Sequence, residues 1–214
     1  MSRSAMKPNS SFPAIPAGLR DEAGFSLVEF LIASVILLVV SVSVFGVLTN
    51  VQRSSSYQTE VQAVLDNTRI AMESVTRILR QAGNDPKSIG VQGITIVSAS
   101  QVQIQADLTG SAGTDTGDPD GDTGDSGENV TISYNAGARS IELTPNGGNA
   151  QTIATDISAY NMQYFDAAGA ATGIGADVRR IRVSMSGASP LPDPQTGETF
   201  SQQMTCDVQI ANRK

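Results

Sequence analysis

Three hydrophobic patterns follow one another along the 214 residues. From Phe30 to Gln52 no side chain is charged and no proline occurs. As helix, a run of this length can cross a bilayer core, which takes about 20 apolar residues. From Val61 to Leu79 the pattern becomes a stripe at helical spacing, made of Val61, Val64, Leu65, Thr68, Met72, Val75 and Leu79. Glu60, Arg69, Glu73, Arg77 and Arg80 lie off that stripe, with Glu73 and Arg77 placed as an i, i+4 ion pair. The absence of proline, and the stop signal Gly83-Asn84-Asp85-Pro86, predict one helix over 25–82. Such a helix is about 87 Å long at 1.5 Å per residue. A domain built from the rest of the chain cannot bury it, so 25–53 is expected to protrude and 54–83 to pack.

From residue 87 the period becomes two. Ile94 and Ile96, Val102 and Ile104, Val130 with Ile132 and Tyr134, and Ile141 with Leu143 alternate with polar residues. Met162 and Tyr164, Ile181 with Val183 and Met185, and Met204 with Cys206, Val208 and Ile210 do the same. Alternation bounded by Gly, Asn, Asp and Pro marks strands of a sheet with one wet face. Turns are expected at Asn146-Gly147-Gly148, at Ala168-Gly169 and from Pro190 to Gly197. The fold class is α+β: a long N-terminal helix packed on an antiparallel sheet. The division runs 1–24 leader, 25–53 protruding helix, 54–83 packing helix and 84–214 β-rich head.

Charge and composition narrow the function. The formal charge is −7. An acidic body argues against nonspecific nucleic-acid binding, which relies on clustered Lys and Arg. Arg179, Arg180 and Arg182 form the only basic cluster and read as the solvated face of a strand. There is no His and only one Cys, Cys206, so no intrachain disulfide forms and no Ser-His or His-metal chemistry is available. Cys206 reads as a small core residue within an alternating strand. Gly173-Ile174-Gly175 precedes a strand with no following helix, and so is no phosphate loop. No catalytic constellation appears, so the chain does not read as an enzyme and no required cofactor is expected.

Two stretches can carry chemistry. The first is Gly24-Phe25-Ser26-Leu27-Val28-Glu29 at the head of the apolar run. A carboxylate at the margin of a membrane-length helix is costly in lipid and calls for a function. Before it, residues 1–24 carry Arg3, Lys7 and Arg20, which favour a cytoplasmic N-terminus. The second is the acidic loop from Asp115 to Glu128, with six carboxylates in fourteen residues and no cation. Asp118, Asp120 and Asp122 at alternate positions, followed by Asp125 and Glu128, suit a hard cation such as calcium, which takes several oxygens on a turn-rich segment. The EF-hand pattern is broken: Thr123 stands at the glycine position and Asn129 at the closing glutamate. A solvated loop between strands is the other reading.

The segment from Gly24 to Glu29, with the uncharged helix after it, resembles the type IV prepilin processing motif. The resemblance implies that a prepilin peptidase cuts between Gly24 and Phe25 and methylates the new amine on Phe25, and that Glu29 serves assembly. It also implies an inner-membrane, single-pass precursor with a periplasmic head that later enters a fibre or its tip. Its partners would be other minor and major pilins and the inner-membrane platform of the pilus machine. Leu79-Arg80-Gln81-Ala82-Gly83, the stretch Ile157 to Gly169 and the ending Val208 to Arg213 are similar to PilW-like minor pilins. That family implies a low-copy subunit that helps initiate or cap the fibre. The J-type minor pseudopilins of type II secretion share the layout and remain a second reading. A membrane-anchored, calcium-stabilised binding ectodomain is a third, from a different class.

Overall fold

The computed structural model describes residues 24–110, 119–125 and 127–212. Apart from Gly24, the expected leader lies outside the described residues. A long helix, α1, runs from Leu27 to Gln81, and a single 3-10 turn, Gly175–Asp177, lies later in the described chain. It starts two residues later than the apolar pattern suggests, because Ser26 caps it. It stops at the expected signal: Gly83 takes a left-handed φ of 72°, which an L side chain resists. The Gly83 N–H then bonds the Gln105 carbonyl, tying the helix end to a strand.

The residues divide into two units, Met1–Leu48 and Thr49–Lys214. In the first, the described apolar side chains are exposed: Leu27, Phe30 and Phe45 are between 67% and 77% exposed. Its serines do not interrupt the apolar character. Ser34 and Ser43 donate their hydroxyls to the carbonyls of Phe30 and Val39 one turn back, so neither leaves an orphan donor.

Among the described residues of the second unit eight strands follow the helix: β1 (Ile94–Ser98), β2 (Gln101–Gln105), β3 (Asn129–Asn135), β4 (Ser140–Pro145), β5 (Gln151–Ala154), β6 (Ile157–Phe165), β7 (Arg180–Pro192) and β8 (Thr199–Gln209). They form two antiparallel sheets where one was expected, in the orders β1-β2-β3-β4-β5 and β6-β7-β8. The chain leaves one for the other at Asp156, whose φ of 61° kinks the backbone between β5 and β6. Asp tolerates that conformation better than most side chains. The sheets are tied by tyrosines: Tyr164 donates its hydroxyl to Ser98 O at 3.2 Å, and Tyr134 donates to Ile157 O at 2.9 Å.

The α1 stripe buries Val64, Thr68, Met72, Val75 and Leu79 as the spacing predicts, and adds Ala71 and Thr76. Val61 and Leu65 are only half-buried. The stripe joins one core with inward residues of both sheets, including Ile104, Ile132, Ile141, Ile181 and Val183. The helix lies close on β7 at Gly187, where a side chain would meet Thr68 and Val64.

Several expectations need correction. β5 has no alternating signal, because only Ala154 of its four residues is buried. β7 continues through Pro190 to Pro192, so the turn is confined to 193–198, closed by Asp193 N–H to Glu198 O. The prolines fit because the β7–β8 register breaks there. Cys206 is half-buried, not enclosed, because β8 is an edge strand on which only Val208 is fully buried. Among the described residues, Glu73 and Arg77 are not an ion pair within 4.0 Å. Both are exposed, where such a pair contributes little.

Arg180 and Arg182 do lie on a wet strand face, and both reach Asp207 on β8. Arg182 Nε donates at 2.7 Å and Arg180 Nη1 at 2.8 Å, while both guanidinium groups stand over the Phe165 ring. The hydrogen bond from Arg182 and then that from Arg180 outweigh desolvation and hold the Asp207 carboxyl at about 2, below its ordinary 3.8. A carboxyl depressed on folding adds stability above its unfolded pKa and loses it as pH falls through the folded one. The contribution is therefore present above about pH 4 and fades toward about pH 2. The urea midpoint of the wild type should fall across that window, and that of Asp207→Asn should fall less. Parallel curves would show that the pair does not act this way.

Candidate functional site

The first candidate site is the entry to α1. Gly24, Phe25 and Ser26 precede the helix as irregular backbone. Phe25 is 91% exposed, and nothing lies within 4 Å of where a Gly24 side chain would stand. The Gly24-Phe25 bond thus lies in exposed chain before the helix begins.

Ser26 and Glu29 form a reciprocal cap. The Val28 N–H donates to Ser26 Oγ at 3.3 Å, and the Ser26 N–H donates to Glu29 Oε2 at 3.1 Å. This is a capping box, which satisfies two of the donors that a helix start leaves open. The sequence reading assigns Glu29 to assembly alone. The spacing Ser26-x-x-Glu29 carries this second role and is a readable signal. Glu29 is exposed, and its neighbours Leu27, Val28, Phe30 and Ile32 are exposed apolar side chains. Beyond it the helix is long and apolar enough to cross a membrane, and the apolar window is not buried within the chain. This is consistent with membrane anchoring.

The second candidate is the acidic loop. Carboxylate oxygens of Asp120, Asp122 and Asp125 come within 4.8 Å of one another. Asp118 lies outside the described residues. Glu128 is 1% exposed and turned inward. Its Oε1 accepts the N–H groups of Leu108 and Thr109 at 2.7 and 2.8 Å, and its Oε2 accepts the Asp125 N–H at 3.3 Å. Glu128 therefore braces the loop against the chain leaving β2. There it meets Asp107, which the sequence reading missed. Asp107 has no distinguishing local pattern; its burial comes from residues about 14–21 positions later folding back on it. Burial, then the Glu128 charge, raise its pKa, and Asp120 adds to the rise.

Cys206 lines a groove of 660 Å³ beside Met72, Thr76, Arg77, Arg80 and Leu108. That position explains its half-burial.

No curated protein matches the chain. A family model described as "Prokaryotic N-terminal methylation motif" matches residues 19–45, which include Gly24, Phe25, Glu29 and the first turns of the apolar helix. This match, over a small N-terminal part of the chain, supports a type IV pilin-like protein of pilin or pseudopilin kind, and such a motif implies in general assembly with other pilins and recognition by a prepilin peptidase.

Proposed function

We propose that the protein is a minor type IV pilin that helps initiate or cap pilus assembly. It is made as a precursor, held in the inner membrane by α1 with residues 84–214 in the periplasm, and cut between Gly24 and Phe25. It then passes into the fibre beside other minor and major pilins, on the inner-membrane platform. In this reading 1–24 is the leader, 25–53 the lipid anchor and later filament core, 54–83 the packing half of the helix and 84–214 the head.

The observation that carries the reading is the pairing of an accessible Gly24-Phe25 bond with an exposed Glu29 at the margin of an exposed apolar helix. A cut there creates a cationic amine four residues before Glu29. In a packed fibre the amine of one subunit can meet the Glu29 carboxylate of the next. Two unit charges 4 Å apart attract by roughly 4 kcal/mol at an effective dielectric of about 20, less the cost of desolvating both.

Mass spectrometry of the protein from its native membrane tests this. The expected N-terminal peptide begins with N-methylphenylalanine at Phe25, and the uncut form accumulates when prepilin peptidase is absent. A chain that keeps residues 1–24 with the peptidase active would favour the anchored ectodomain. If the cut occurs, a strain lacking the protein separates the rest: loss of pili supports the minor pilin, and loss of protein secretion with normal pili supports the pseudopilin.

A further inference from the structure

The β7–β8 hairpin runs down α1 toward the apolar end of the helix. Gly187 lies against Thr68 and Val64, and the Leu191 N–H donates to Glu60 Oε1 at 3.2 Å. Further along, Pro194 lines a groove of 480 Å³ with Gln52, Arg53 and Tyr57, and Gln195 lines another with Asn50 and Val51. At 100° per residue those two sets of helix positions lie on different flanks of α1. The hairpin tip therefore reaches the level of Asn50 to Arg53. The tip is a closed turn: the Asp193 N–H donates to Glu198 O and the Gly197 N–H to Asp193 O, each at 2.8 Å. All of these residues belong to the second unit.

That level is where the membrane-length run stops. Arg53 is the first charge after Glu29. Counted from Phe30, the roughly 20 residues that cross a bilayer core end at Thr49. Arg53 and Tyr57, one turn apart, suit the lipid–water boundary: each has an apolar body and a polar end that reaches water or phosphate. The hairpin presents apolar surface at the same level. Pro190, Leu191, Pro192 and Pro194 are exposed, Leu191 by 61%. Contiguous apolar residues left exposed mark a surface that meets something other than water. Residues 190–198 carry Asp193 and Glu198 and no cation, and Asp193 Oδ1 accepts the Gln195 N–H of its own turn. Apolar contact, not charge, would hold the hairpin on a membrane, with Arg53 left to meet the lipid phosphates.

We propose that the 190–198 hairpin is a membrane-resting foot, whose Leu191 and flanking prolines sit among the phospholipid headgroups where α1 leaves the bilayer. The foot would fix how deep α1 is inserted while the subunit waits in the membrane. The inference rests on the membrane-anchored part of the proposed function, which pilin and pseudopilin share, and does not depend on entry into a fibre.

The test places the full chain, carrying Cys206→Ser, in vesicles of phosphatidylethanolamine and phosphatidylglycerol. Single cysteines are added by Gln195→Cys, Leu191→Cys, Ala168→Cys or Ser43→Cys and labelled with a fluorophore. Lipids bearing a nitroxide on the headgroup or on the acyl chain then act as quenchers. Labels at positions 191 and 195 should lose fluorescence to the headgroup nitroxide. A label at 168 should not, because that turn lies at the opposite end of the sheet, next to the Phe165–Arg180 pair. The label at 43 should be quenched by the acyl-chain nitroxide. Adding Leu191→Asp to the Gln195→Cys chain should abolish the headgroup quenching at 195. If the label at 43 is not quenched, α1 does not span the bilayer, and the anchor and the foot are both overturned. Quenching at 43 without quenching at 191 and 195 would overturn the foot alone and leave the hairpin to a protein neighbour. Unchanged quenching at 195 with Leu191→Asp would show that the hairpin is near lipid without resting on it, and would also overturn the proposal.

Discussion

Replacing Glu29 with alanine is expected to leave cleavage at Gly24-Phe25 intact and to lower incorporation into fibres at least about tenfold. The proposed cut falls at a bond outside the helix, with Phe25 exposed, so in this reading the processing step does not need the carboxylate. Incorporation does, in the proposed assembly. A carboxylate within lipid costs about 2.5–3.5 kcal/mol on insertion scales, and an amine from a neighbouring subunit relieves that cost in the fibre. Loss of only about 1.4 kcal/mol of that difference is tenfold in an equilibrium.

The capping box supplies the control. Glu29→Gln keeps an acceptor for the Ser26 N–H and removes the charge. Ser26→Ala removes the hydroxyl that accepts from Val28 and keeps the charge. If charge pairing governs docking, Gln should fail almost as badly as alanine, and Ser26→Ala should lose only the roughly 1 kcal/mol typical of a helix cap. Normal incorporation of the Gln variant would assign Glu29 to capping alone.

Gly187→Ala should lower stability markedly. A β-carbon there would fall on Thr68 Oγ1 and stand 2.9 Å from Val64 Cγ1, both on the buried stripe of α1. Gly187 is held in register by Ile157 on one side and Gln202 on the other, so β7 cannot easily slide away. Either α1 or the strand must give. Overpacking of this kind costs about 1–3 kcal/mol, and a chain of this size loses about 2–4 °C of melting temperature per kcal/mol. Adding Thr68→Ala should restore part of the loss, since contacting sites couple by about 0.5–3 kcal/mol. The Thr68 hydroxyl donates to the Val64 carbonyl of its own helix, so the single Thr68→Ala change should cost about 1 kcal/mol, mainly for the lost buried methyl. Unchanged melting of Gly187→Ala would mean that α1 does not lie this close to β7.

Much of this architecture is readable from the sequence, and the reason lies in one-sided burial. Val102 and Ile104, or Ile181, Val183 and Met185, alternate because each strand turns one face to the core, and all five are buried. The stripe from Val64 to Leu79 is legible for the same reason at helical period. What was missed depends on long-range geometry. β5 contributes backbone pairing and a single buried alanine, so it leaves no alternation. The split into two sheets turns on the backbone angle of Asp156 and on tyrosine hydroxyls that cross between strands, neither of which has a periodic signature. The acidic loop is obvious in composition. Asp107 is not, because it is buried by residues that return to it from across the loop. At the N-terminus, Glu29 is conspicuous as a charge in an apolar setting, and its capping role is visible once Ser26 is read with it.

The most direct measurement is mass spectrometry of fibres sheared from the cell surface, searched for the N-terminal peptide of this chain. The account predicts a peptide that begins with N-methylphenylalanine at Phe25, present at low copy beside the major pilin and absent from fibres of a Glu29→Ala strain. Recovery of the chain only from membranes, still carrying residues 1–24, would contradict it.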